Sequence, residues 1–221
     1  MGSQSQDATR NLANSGLSVE TGVAAVTGCP VVHSAAGTLT EQPLTTRAEL
    51  MTIDDLRALI RDIPDFPSEG ILFRDITPLL ADRDAFRFAI MAMAEPYSDI
   101  DHVVCIESRG FILGAPIAYK LDAGLVPVRK VGRLPADTLR EDYALEYGVN
   151  TVEIHQDAIK PGERVIIVDD LLATGGTVHA AIKLVERLGA MLVGVSVLVE
   201  LSDLGGRERL TGYPVQSLIV Y

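Results

Sequence analysis

Residues 164–177 read RVIIVDDLLATGGT, and the fold is decided there. Val165 to Val168 form a short apolar run bounded by polar residues, which predicts a strand buried on both faces. Asp169 and Asp170 end that strand. Ala173, Thr174, Gly175, Gly176 and Thr177 then make a loop of small residues that opens a helix over 177–188. Val178, Ala181, Ile182, Val185 and Leu188 share one face of this helix. In an open parallel sheet, ligands bind beyond the carboxyl ends of the strands. Loop N–H groups and the positive end of a helix dipole suit a phosphate. Gly175 and Gly176 let the backbone approach it, and the hydroxyls of Thr174 and Thr177 add donors.

The same stretch excludes two nucleotide sites. Its loop carries no lysine, so triphosphate hydrolysis is not indicated. No G-x-G-x-x-G opens a helix, so a dinucleotide is not indicated either. Two adjacent carboxylates beside a phosphate cradle can accept hydrogen bonds from vicinal hydroxyls, and can hold Mg²⁺ through water. The implied ligand is a sugar phosphate with free hydroxyls.

Strands and helices alternate around this unit. His102–Ile106, Leu125–Arg129, Thr151–His155 and Leu192–Val199 read as strands, and Asp82–Glu95 and Gly110–Leu121 as helices. Near the start of this region, Thr52 and Asp55 predict a capping box. The helix it opens carries Ile53, Leu56, Leu59, Ile60 and Ile63 on one face and is ended by Pro64. The pattern predicts an α/β domain over 51–221 with a mostly parallel central sheet flanked by helices. Residues 1–50, rich in Ser, Thr, Gly and Ala without sustained periodicity, read as a poorly ordered extension, with Met51 a candidate start of translation.

Composition narrows the partners. A formal charge of −11 argues against nucleic acid or an anionic membrane as the main partner, while leaving room for a small anion in a locally basic cleft. No uninterrupted apolar run reaches the ~18 residues of a membrane span, and the first residues have no apolar signal core. Cys29 and Cys105 and the four histidines show no metal-ligand spacing, which suits a reducing cytosol.

Other segments carry anion chemistry. Glu107-Ser108-Arg109-Gly110 follows a strand, so Arg109 can meet a phosphate bidentately. Arg129, Lys130 and Arg133 cluster after the next strand as an anion clamp. Residues 131–150 are polar and turn-rich, a length typical of a lid, and include Glu146 and Tyr147. Leu72, Phe73 and Arg74 follow a glycine turn, and Phe73 can stack on a flat heterocycle.

The DD-x-x-small-Thr-Gly-Gly-Thr stretch resembles the phosphoribosyl-diphosphate (PRPP) signature of the type I phosphoribosyltransferases. Further segments resemble the adenine-specific branch: IPDFPSEGILFRDITPLL (63–80), ESRGFILGAPIA (107–118), VPVRKVGRLP (126–135) and YALEYG (143–148). The resemblance covers 51–221. It implies a small hood built largely from 51–80, a flexible catalytic loop, and conversion of adenine and PRPP to AMP and diphosphate with Mg²⁺. It also implies a homodimer in the cytoplasm serving purine salvage. By the same resemblance, Ala173–Thr177 take the 5′-phosphate, and Asp169 and Asp170 take the ribose hydroxyls and assist Mg²⁺ through water. Ser108, Arg109, Arg129 and Lys130 hold the diphosphate, with a cis peptide before Ser108. Glu146 handles the purine proton, Tyr147 closes the lid, and Leu72, Phe73 and Arg74 seat adenine. Two rival readings share the fold. One is a phosphoribosyltransferase for 6-oxopurines. The other is a PRPP-sensing regulator of nucleic acid, against which the net charge argues.

Overall fold

The computed structural model describes residues 50–144 and 149–221. The capping box forms as expected: Thr52 and Asp55 exchange hydrogen bonds and open α1 (Ile53–Ala58). The helix is shorter than its apolar pattern predicted. Leu59 and Ile60 close it with tight turns, and Arg61–Ile63 become β1, antiparallel to β2 (Phe73–Asp75). Cross-strand charge decides this. Arg61 binds Asp75 at 2.7 Å, and Arg74 pairs with Asp62, so both polar positions of the would-be helix find partners across a ribbon. This ribbon stands apart from the main sheet.

The chain continues through α2 (Thr77–Ala81) and α3 (Arg83–Ala94), whose N-cap Asp82 accepts from the N–H groups of Asp84 and Ala85. Then come β3 (His102–Ile106), α4 (Arg109–Lys120) and β4 (Gly124–Lys130). The stretch 131–150, expected to be an irregular lid, contains most of a hairpin. Its first arm is β5 (Thr138–Ala144), its second β6 (Val149–His155), and the two pair antiparallel. The sequence TLREDYA looked like a loop because β5 is the sheet's edge strand, where charged residues are at home. Glu146 and Tyr147 lie outside the described residues, as does the expected N-terminal extension apart from Leu50. β7 (Arg164–Leu172), α5 (Gly176–Arg187), β8 (Met191–Glu200), α6 (Gly206–Arg209) and β9 (Val215–Val220) complete the domain. No helix among the described residues is long and apolar enough to cross a membrane.

The seven strands lie in the order β5-β6-β4-β3-β7-β8-β9, parallel from β4 to β9. Alternate residues of each central strand enter two cores. Val103, Cys105, Ile166 and Val168 join Leu113 and Ile117 of α4 and Met93 of α3. Val104, Ile106, Val165 and Ile167 join Val178, Ile182 and Val185 of α5. α4 and α5 therefore cover opposite faces, although the strands they follow, β3 and β7, are neighbours. Crossovers that diverge from adjacent strands leave a crevice at the strands' carboxyl ends, the place where open sheets bind ligands.

Candidate active site

β7 supplies the acids. It runs to Leu172, so Asp169 and Asp170 sit inside the last turn of ladder rather than beyond it, only 8% and 6% exposed. Burial, then the neighbouring charge of Asp170, pushes the Asp169 carboxyl well above the ordinary carboxylate range. Burial raises Asp170 as well, with Arg109 opposing. Arg109 Nε lies 2.7 Å from Asp170 Oδ2. The pair is thus costly to hold empty and suited to receive hydroxyl donors or a cation. Among the described residues no group of three or more His, Cys, Asp or Glu could hold a metal. Two carboxylates fit Mg²⁺ that takes most of its ligands from substrate oxygens and water.

The loop expected to take a phosphate follows directly. Gly175 takes φ +74° at the N-cap of α5, and no side chain caps the helix. The first N–H groups of a helix lack intrahelical partners, so they stay available to an anion. A Cβ at Gly175 would meet Gly206 O at 2.7 Å, and a Cβ at Gly206 would meet Ala173 O at 2.2 Å. The start of α6 therefore backs the loop, glycine against glycine. Arg207 anchors α6, donating to both oxygens of buried Glu200 (2.9 and 2.5 Å) and to Val215 O. A cleft of about 500 Å³ opens here, lined by Ser108, Arg109, Tyr143, Asp169, Asp170 and the 173–177 loop.

β3 supplies the opposite wall. The Glu107–Ser108 peptide is cis, as the resemblance implied. Ser108 occupies the N-cap of α4, yet its hydroxyl makes no capping bond. The guanidinium of Arg109 also lies 5.3 Å from the ring centre of Phe73, tying the β1–β2 ribbon to the cleft. Arg129 donates through Nε to Glu107 Oε2 at 2.7 Å and through Nη1 to Arg133 O at 3.2 Å. Neither Arg129 nor Lys130 lines the cleft; Arg129 joins it through Glu107, and Lys130 is exposed at the end of β4.

On the ribbon, Phe73 packs edge-to-face on Phe66, with ring centres 5.2 Å apart. Leu72 is 46% exposed. Arg74 points to the opposite face of its strand, where it stacks 3.8 Å over the Tyr221 ring and pairs with Asp62. The structure thus sets Phe73 against Arg109 at the edge of the cleft, without lining it, and turns the Arg74 side chain toward the C-terminal strand. Sequence reasoning missed Tyr143, Glu107 and Gly206. Tyr143 could have been found from the alternation Leu139, Glu141, Tyr143, once TLREDYA is read as a strand.

Known proteins place the chain. Residues 80–218 match the family model for the phosphoribosyl transferase domain. The adenine phosphoribosyltransferase of Thermotoga maritima is 58% identical over 169 residues, spanning 76% of this chain and 98% of the relative. The crystal structure of adenine phosphoribosyltransferase from Rhodothermus marinus is 53% identical, with a TM-score of 0.74 over 76% of this chain and 98% of that one. The Saccharomyces cerevisiae enzyme, solved with an imino-altritol bisphosphate and adenine, is 41% identical with a TM-score of 0.71, covering 75% and 97%. A β7 acid pair, a glycine-backed phosphate cradle and this breadth of match agree, and the chain belongs to the adenine phosphoribosyltransferase family of phosphoribosyltransferases.

Proposed function

We propose that the protein converts adenine and PRPP to AMP and diphosphate in purine salvage, as a cytoplasmic homodimer. The observation that carries this reading is the buried Asp169–Asp170 pair, set between the Gly175–Gly176 cradle and Arg109. The N–H groups and hydroxyls of Ala173–Thr177 bind the 5′-phosphate. Asp169 and Asp170 accept hydrogen bonds from the ribose hydroxyls. Ser108 and Arg109, with Arg129 and Lys130 behind them, hold the diphosphate. The bond from C1′ to the diphosphate oxygen breaks, and its electron pair leaves with the diphosphate. A ring nitrogen of adenine bonds to C1′ and loses its proton toward Glu146. Leu72 and Phe73, with the backbone of Arg74 beside them, seat the base, and Tyr147 covers the site. Mg²⁺, when bound with PRPP beside Asp169 and Asp170, neutralises diphosphate charge. The chain's own contribution is fixed positive charge where negative charge develops, together with exclusion of water from a reactive ribosyl cation.

The test is a steady-state assay with PRPP and Mg²⁺, offering adenine, hypoxanthine, guanine and xanthine separately. Turnover of adenine alone is expected; turnover of a 6-oxopurine would overturn the base assignment. Glu146→Gln is expected to lower kcat far more than it raises the KM for PRPP, and an unchanged kcat would remove Glu146 from proton handling. Deleting residues 1–50 is expected to leave activity and melting temperature nearly unchanged. A large loss of either would give the extension a structural role.

A further inference from the structure

We propose that Glu153 is a positioning residue for diphosphate, holding the 132–134 turn so that Arg129 stays braced against Glu107, which lines the cleft. The inference rests on the diphosphate role proposed above for Arg129.

Glu153 lies on β6, in register with Arg129 of β4 on one side and Arg140 of β5 on the other. It is a charged residue only 1% exposed, in a strand far from the cradle. Its Oε1 accepts the N–H groups of Arg133 (3.0 Å) and Leu134 (3.1 Å). Its Oε2 accepts from Thr138 Oγ1 (3.1 Å) and faces Arg140 Nε (3.3 Å). Two consecutive turn N–H groups converging on one anion form the same kind of concavity that elsewhere binds phosphate, here filled by the protein's own carboxylate. Burial alone would raise this carboxyl, but the donors from Leu134, Arg133 and Thr138 outweigh burial and hold it below its ordinary value.

The turn carries the effect to the site. Arg133 is held by its N–H on Glu153, and its carbonyl accepts from Arg129 Nη1. Arg129 Nε in turn reaches Glu107, the residue before Ser108 and Arg109. A continuous chain of hydrogen bonds therefore links Glu153 to the diphosphate arm, and Glu153 itself does not line the cleft. Without the carboxylate, the N–H groups of Arg133 and Leu134 lose their acceptor, and the carbonyl that orients Arg129 loses its fixed place.

Three variants and one comparison test this. The readouts are KM for PRPP, KM for adenine, kcat, and inhibition by inorganic diphosphate. Glu153→Asp keeps the buried charge but retracts it from the turn. It is expected to weaken PRPP and diphosphate at least about tenfold while kcat and the KM for adenine stay within about twofold. Glu153→Ala should do the same or more, and if it does not fold, the Asp variant carries the test. Glu153→Gln keeps an oxygen able to accept from Arg133 and Leu134, so it should recover diphosphate affinity to within about threefold. Arg129→Ala supplies the comparison. If it leaves diphosphate binding unchanged, the reading of Arg129 fails. If Arg129→Ala weakens diphosphate but Glu153→Asp and Glu153→Ala do not, the reading of Arg129 stands and the inference about Glu153 is overturned. Equal losses toward adenine and PRPP would also overturn it, because they would mark a general structural role.

Discussion

Asp169→Asn is expected to melt about 2–6 °C higher than the parent protein at pH 7.5 and to be almost inactive. The two effects have one cause. Burial and the adjacent Asp170 hold the Asp169 carboxyl well above the ordinary carboxylate range, so the folded chain binds this proton more tightly than the unfolded chain does. The stability tied to it is complete below the unfolded value of about 3.9 and is lost as pH rises through the higher folded value. Asparagine never ionises, so its advantage should be near zero at about pH 4 and grow as pH rises above that. Its side-chain oxygen can still accept the Asp170 N–H that Asp169 Oδ1 accepts at 2.9 Å, so the strand end keeps its local bond. On the proposed mechanism, catalysis loses a charged acceptor for a ribose hydroxyl and one of the two carboxylates that would stand beside Mg²⁺. A fall in kcat/KM for PRPP of about a hundred- to a thousandfold is expected. Ligand binding supplies the crossed control: PRPP with Mg²⁺ should raise the melting temperature of the parent and barely move that of the variant. Melting curves across pH, with and without PRPP, decide the matter. A variant less stable than the parent at pH 7.5, or one keeping a tenth of its activity, would contradict the reading.

That the acids would share one site was legible in the sequence, because VIIV followed by DD and a Thr-Gly-Gly-Thr loop states strand, strand end and helix start in order. Neighbouring side chains along one chain carry that information. What crosses between segments was harder to read. Arg61–Ile63 continue a helical apolar pattern, and only pairing with Phe73–Asp75 makes them a strand. β5 hid behind its charges, because an edge strand does not need an apolar run. Glu153 was seen within the strand TVEIH, but its acceptor role depends on backbone N–H groups of residues 132–134, which leave no mark on side-chain identity. Arg74 shows the limit of carrying a role by position: the residue is where the pattern puts it, yet its guanidinium is taken up by Tyr221 and Asp62.

Gly206 belongs to the same class of hidden residue, and its replacement should be nearly as damaging as loss of an acid, though by shape alone. In Gly206→Ala the new Cβ would lie 2.2 Å from the carbonyl oxygen of Ala173, a backbone atom, and the Cβ has no torsion by which to turn aside. Ordinary contact requires about 1 Å of separation to be regained, so either α6 or the phosphate loop must move. α6 is pinned by Arg207, which grips both oxygens of Glu200 and the Val215 carbonyl. The loop is the softer partner, and the loop is the cradle. A displacement of that size at a positioning element costs about a hundredfold, so the KM for PRPP should rise about that much while the KM for adenine changes little. The anchoring of α6 makes this testable by a double-mutant cycle. In an Arg207→Ala background α6 can recede instead, and Gly206→Ala should then cost clearly less than it does alone. Additive losses across the four proteins would mean that α6 yields in every case, and that the cradle is held in place by something other than the glycine contact.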